Sequence, residues 1–231
     1  MGKWVQDLAQ TEYSSKITIK AKPSRGEDLQ CLLETDVIID FSSASAMATL
    51  AQLALQYSKP LPVFVIGSTG RNKEDDQLFL KLALKTPVFV APNFSPGIYI
   101  LSEILRKFSK TLNHFGYSPV MIETHHQHKK DSPSGTALSL QRAISPSHPD
   151  HVPTHSVRAG EVIGDHFVHF HGVADEITIG HHASDRSIFA RGAIEAACWL
   201  VELQRAKKWV PSVGILGMKD YFESGSKGEK P

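Results

Sequence analysis

The sequence predicts an α/β protein in two parts, a doubly wound parallel sheet followed by an α+β region on an open mixed sheet. Three observations carry this. Short, wholly apolar runs such as Val63-Phe64-Val65-Ile66 alternate with helical patterns as far as residue 90, as strands of a parallel sheet buried on both faces do. After Gly97 that alternation stops, and every-other-residue patterning such as His166, Val168 and Phe170 follows, which suits a sheet covered on one face. At 231 residues the chain is long enough for a sizeable core in one or two domains.

Taken in order, Trp4, Val5, Leu8 and Ala9 recur at helical spacing and open the chain on an amphipathic helix. Residues 17–19 (Ile-Thr-Ile) read as a short strand, 28–33 as a short helix and 37–41 as a strongly apolar strand. An Ala- and Leu-rich helix over 45–57 leads to the strand 63–66, and a helix over 75–84 leads to the strand 88–90. Such sheets bind ligands at the carboxyl ends of their strands. Residues 98–108 form an amphipathic helix crossing into the second part, with Ile100, Leu101, Ile104, Leu105 and Phe108 on one face. Val120, Met121 and Ile122 read as the end of a buried strand. Asp131 or Ser132 suits a helix N-cap, with Pro133 at the first helical position. Strands follow over 154–160, 161–170 and 175–179, then a long helix over 187–203; residues 223–231 are polar and expected to be disordered.

Composition excludes several classes. A formal charge of +1 provides no general basic field for nucleic acid or an anionic membrane. Cys31 and Cys198 are too few for a disulfide framework and read as reduced, packed thiols. Residues 1–10 lack a long apolar core and contain Lys3 and Asp7, so no signal peptide is expected. The most apolar helix, around 193–203, is interrupted by Glu195 and Glu202, too polar to span a bilayer. The expectation is a soluble, cytoplasmic protein with no nucleic-acid or membrane partner.

Chemistry concentrates in one stretch, from Glu123 through His125, His126, His128, Lys129, Lys130 and Asp131 to Pro133-Ser134-Gly135-Thr136-Ala137. The histidines lie where a strand runs out into a loop, a usual place for reactive side chains on a rigid support. The helix start after them offers free N–H groups, and Gly135 leaves them approachable, so a carboxylate could dock against the positive end of the dipole. A small dianion would find cations in Lys129, Lys130 and protonated histidines.

The spaced pattern E-x-H-H-x-H-K-x-D-x-P-S-G-T-A resembles the signature of the dihydrodipicolinate reductases, nicotinamide-dependent enzymes of the diaminopimelate and lysine pathway. Gly67-Ser68-Thr69-Gly70 and Ala91-Pro92-Asn93-Phe94-Ser95 resemble two further segments of that family, which lie along the nicotinamide end of the cofactor. Ser68 replaces a threonine and keeps the hydroxyl. The resemblance implies a Rossmann-type dinucleotide-binding domain at 1–96, to which 206–231 returns, and a substrate-binding and oligomerisation domain at 97–205. It implies hydride transfer from NADPH or NADH to 4-hydroxy-tetrahydrodipicolinate, a small dicarboxylate, with loss of water. His125 aligns with the proton donor and Lys129 with the catalytic lysine; His126, Gly135 and Thr136 align with substrate contacts; Gly67, Ser68, Thr69, Ala91, Pro92, Asn93 and Phe94 align with the cofactor segments. Arg158, His166 and Arg186 fall in segments that carry tetramer contacts in relatives, so a homotetramer is implied and these residues read as structural. Phe94 to Gly97 suits a hinge.

The resemblance also has a gap. The family's first strand and its G-x-x-G-R-M-G loop have only Met1-Gly2 as a counterpart, so the translation start is expected upstream. Lys20, Lys22 and Arg25 would favour the 2′-phosphate of NADPH, or else form a solvated basic loop. Two other readings stay open: a degenerate, non-enzymatic homologue that cannot bind cofactor, and a metal-binding hydrolase using His125, His126, His128 and Asp131. No residue set is assigned to a metal site.

Overall fold

The computed structural model describes residues 1–24, 26–211 and 214–225. Arg25 and residues 226–231 of the tail expected to be disordered lie outside them, while 223–225 of that tail are helical instead. In chain order the elements are α1 (Gly2–Gln10), β1 (Val37–Asp40), α2 (Ala44–Gln56), β2 (Val63–Ile66), α3 (Lys73–Ala83) and β3 (Val88–Val90). Then come α4 (Pro96–His114), β4 (Ser118–His125), α5 (Gly135–Ile144), β5 (Thr154–Arg158), β6 (Asp165–His171) and β7 (Glu176–His182). The chain closes with α6 (Ser187–Arg205) and α7 (Met218–Gly225). Two compact units result, Met1–Phe94 with the chain from Phe189 onward, and Ser95–Ile188.

In the first unit β1, β2 and β3 form a parallel sheet in that order, with Asp40 beside Ile66 and Ile66 beside Val90 at their carboxyl ends. Every residue of β2 is buried, as its wholly apolar sequence requires. One face packs Phe64 and Ile66 against Met47 and Leu50 of α2 and Phe79 and Leu82 of α3. The other packs Val63, Val65 and Phe89 against Ala193, Ala196, Ala197 and Leu200 of α6. Helix starts follow local capping: Ser43 accepts from Ala46 N–H, and Asn72 with Asp75 forms a reciprocal box at α3.

Three expectations change. Residues 17–19 form no strand, because their alternation finds no neighbouring ladder; Ile17 instead packs near Leu8 and Ile194. The helix over 187–203 is assigned by sequence to the second domain, yet from Phe189 the chain belongs to the first unit, since its small apolar stripe is what covers Val63, Val65 and Phe89. The N-cap of α5 is Ser134, whose hydroxyl accepts Ala137 N–H at 3.1 Å, so neither Asp131 nor Ser132 caps it and Pro133 precedes the helix.

The second unit is a four-stranded mixed sheet in the order β5-β4-β6-β7, with β4 parallel to β5 and antiparallel to β6. Its inner face buries Met121, Val168 and Phe170 against Ile98, Leu101 and Leu105 of α4 and Ala137 and Leu140 of α5. Ile122, Val157 and Phe167 alternate out of that core and stay exposed.

Candidate active site

Strand β4 builds the site, because a period of two sends Met121, Glu123 and His125 to the helix-covered face. Met121 joins the core, and the next two inward positions bring a carboxylate and an imidazole to the same side. Glu123 is 0% exposed and His125 7%. His125 Nδ1 bonds to Glu123 Oε2. From β5, Arg158 Nη2 donates to Glu123 Oε1 at 2.8 Å and to the Asp131 carbonyl at 2.7 Å. From β6, His166 meets His125 edge to face, ring centroids 5.1 Å apart, and its Nε2 lies 3.1 Å from Ser134 Oγ. Just before β6, a Cβ on Gly164 would stand 3.0 Å from His125 Nε2, so the imidazole packs against bare backbone.

The electrostatics follow from this packing. Burial would raise the Glu123 carboxyl, but hydrogen bonds from Arg158 and Ser156 and the nearby positive charges outweigh it, and the group titrates below its ordinary 4.5. His125 falls below its ordinary 6.5: burial leads, the Glu123 charge opposes, and Lys129 and Arg158 add to the depression. Burial and then His125 push His166 down to about 3, so it is neutral at neutral pH.

Beyond β4, Lys129 Nζ reaches Asp131 Oδ1 at 2.8 Å. Burial would raise the Asp131 carboxyl, yet the Lys129 contact and backbone N–H groups, Gly135 among them, bring it below its ordinary 3.8. An internal carboxylate therefore already rests on the lysine and helix start that the sequence suggests for an anion. Thr136 is buried in the first turn of α5, while His126 is half-buried on the loop with its pKa lowered by burial and by Arg186.

The four-residue metal set expected as an alternative does not converge. His128 points to Glu161 at 4.0 Å, and Asp131 is engaged by Lys129. Among the described residues the tight grouping is Glu123, His125 and His166. There both Glu123 oxygens are taken by His125 and Arg158, and the guanidinium opposes a second cation.

In the first unit Gly67, Ser68 and Thr69 follow β2, and Ala91, Pro92, Asn93 and Phe94 follow β3, at the carboxyl end of the parallel sheet. Ser68 Oγ and, at the end of β1, Asp40 Oδ2 are buried without a protein partner. Two orphaned polar atoms on neighbouring strand ends fit a hydrogen-bonding ligand such as a nicotinamide nucleotide. Phe94 contributes packing: its ring stacks on Phe89 at 5.9 Å and meets Phe41 edge-on at 5.5 Å. A Cβ on Gly67 would come within 2.5 Å of Phe41, so these rings pack directly against the Gly67 backbone.

Sequence reading gave no chemical role to four groups. Glu123 was legible as an inward i, i+2 partner of His125; Arg158 and His166 read as structural because their partners lie on other strands; Asp40 gave no signal beyond ending an apolar strand.

A parallel sheet with unpartnered polar atoms at its strand ends and, in the other unit, a buried acid–base pair beside a lysine suit an α/β enzyme that binds a nucleotide and moves a proton. Family models described as dihydrodipicolinate reductase, N-terminus and C-terminus, match residues 2–94 and 97–221. The 4-hydroxy-tetrahydrodipicolinate reductase of Zymomonas mobilis is 36% identical over 206 residues, 80% of this chain and 76% of its own. That of Campylobacter jejuni is 33% identical over 230 residues, 90% of this chain and 92% of its own. The dipicolinate-bound dihydrodipicolinate reductase of Paenisporosarcina sp. TG-14 shares the fold, with TM-score 0.61 at 22% identity, covering 85% of this chain and 80% of that one. The chain belongs to the dihydrodipicolinate reductase family, whose members use NADH or NADPH.

Proposed function

We propose that this chain reduces 4-hydroxy-tetrahydrodipicolinate to tetrahydrodipicolinate in diaminopimelate and lysine biosynthesis, with NADPH or NADH as reductant. The observation that carries the reading is the buried His125–Glu123 pair followed four residues later by Lys129, on a chain that matches the family over residues 2–94 and 97–221. The nicotinamide, when bound, supplies the hydride.

His125 supplies the proton that replacement of the hydroxyl by hydrogen, with loss of water, requires. Its Nδ1 is engaged by Glu123, so Nε2 is the nitrogen that releases it. Lys129, the first-turn N–H groups at Gly135 and Thr136, and His126 hold the substrate carboxylates. Asp131, itself a carboxylate on Lys129 and Gly135 N–H, supports that assignment and marks the group a substrate would displace. Gly67, Ser68, Thr69, Ala91, Pro92, Asn93 and Phe94 hold the nicotinamide end of the cofactor, Phe94 through its backbone.

We assign the chain to the cytoplasm and to a homotetramer assembled on the outer face of the β5-β4-β6-β7 sheet. Exposed Ile122, Val157 and Phe167 support that face. No described helix is long and apolar enough to cross a membrane.

The reaction is tested by following NAD(P)H consumption with substrate generated in situ. Lys129→Ala is expected to raise KM about 10–100-fold, the value of one charge-assisted hydrogen bond. Absence of NAD(P)H consumption by the wild-type chain with either nucleotide would overturn the assignment.

A further inference from the structure

We propose that Glu123 is a positioning residue for His125, holding its imidazole in the orientation and tautomer that leave Nε2 to release the proton, with Arg158 anchoring the other carboxylate oxygen. The inference rests on His125 as proton donor. A carboxylate with no exposure is costly in a core, and an apolar residue of similar volume there would cost less. What Glu123 does with its two oxygens gives the reason for its presence: one takes Arg158 at 2.8 Å, the other His125 Nδ1.

The charges facing His125 make this carboxylate necessary. Lys129 from the loop and Arg158 from β5 both disfavour a second cation, and burial disfavours any. His166 from β6 is neutral, with its Nε2 turned to Ser134 rather than to Glu123. Asp131 is engaged by Lys129. Glu123 is therefore the group that favours protonated His125, and without it the ring would hold a proton less readily still. Geometry adds to charge. His166 and the bare backbone of Gly164 wall the ring on two sides, and the bond to Glu123 fixes its rotation about the remaining axis.

The test is a 15N NMR titration of the histidine rings in the full chain, with the His125 signal assigned by its absence in His125→Asn. Glu123→Gln is expected to lower the His125 midpoint by about a unit or more and to weaken the Nδ1–H tautomer. In turnover, Glu123→Gln should lose about 10–100-fold in kcat, with KM changing far less, and the falling limb of kcat/KM should shift to lower pH. A folded Glu123→Gln protein with His125 midpoint and tautomer unchanged overturns the proposal. If that variant does not fold, Glu123→Asp decides, since it keeps the charge and draws the carboxylate back from Nδ1: a weakened Nδ1–H tautomer supports the positioning role and an unmoved midpoint and tautomer overturn it. The titration needs no substrate, so shifted midpoints in a chain that does not reduce 4-hydroxy-tetrahydrodipicolinate would defeat the proposed reaction and leave the coupling established.

Discussion

At His125 opposing charges set the chemistry. Burial, Lys129 and Arg158 lower its pKa below 6.5, and Glu123 restores part of the loss. With the protonated ring as the proposed donor, kcat/KM should fall as pH rises through that lowered value, and His125→Gln should cost roughly 10²–10⁴-fold in kcat. His166 offers a separate check through stability. The unfolded ring binds a proton near its ordinary 6.5 and the folded one only near about 3. Between those values the unfolded state holds more protons, so stability should drop as pH falls from about 6.5 toward about 3. Urea titrations of wild type and His166→Gln across that window should show a flatter dependence in the variant; equal slopes would contradict it. The histidine and lysine of this site were legible from one contiguous stretch. Their supports were not, because Arg158 and His166 reach Glu123 and His125 across strand register, which a linear pattern does not encode.

Among the elements, α6 shows how context reverses propensity. Glycine inside a helix normally favours replacement by alanine by about 1 kcal/mol. A Cβ on Gly192, however, would stand 2.0 Å from the Phe94 carbonyl oxygen, with backbone and not a flexible tip in the way. Gly192→Ala should therefore destabilise the chain by about 1–3 kcal/mol, read as a lower urea midpoint at unchanged slope; a stabilised variant would show that α6 lies otherwise. Ser134→Ala should cost about 1 kcal/mol by removing the α5 cap. The buried strands were legible because Val, Ile and Phe runs bounded by turns have few other uses. The 17–19 strand was misread because alternation shows only that a segment suits a ladder, and none lies beside it. The α5 cap was misplaced by two residues or more because Asp131, Ser132 and Ser134 all satisfy the local rule, and only packing against His166 selects among them.

Across the whole chain, the fold class was legible from the change in patterning at Gly97, and the return of α6 was not. A helix carrying an Ala stripe can cover either unit, and which one depends on the complementary surface of β2 and β3, written more than a hundred residues earlier. Assembly belongs to this scale as well: light scattering should give a tetramer, and a charge at Phe167 should reduce it to smaller species without lowering the melting temperature of each subunit. The most direct measurement is kcat/KM for 4-hydroxy-tetrahydrodipicolinate with NADPH and with NADH, in wild type and His125→Gln across pH. Turnover by the wild type that falls as pH rises, with the pH dependence and most of the rate lost in the variant, is the expected result. A variant as active as the wild type, with the same pH profile, would remove His125 from the chemistry.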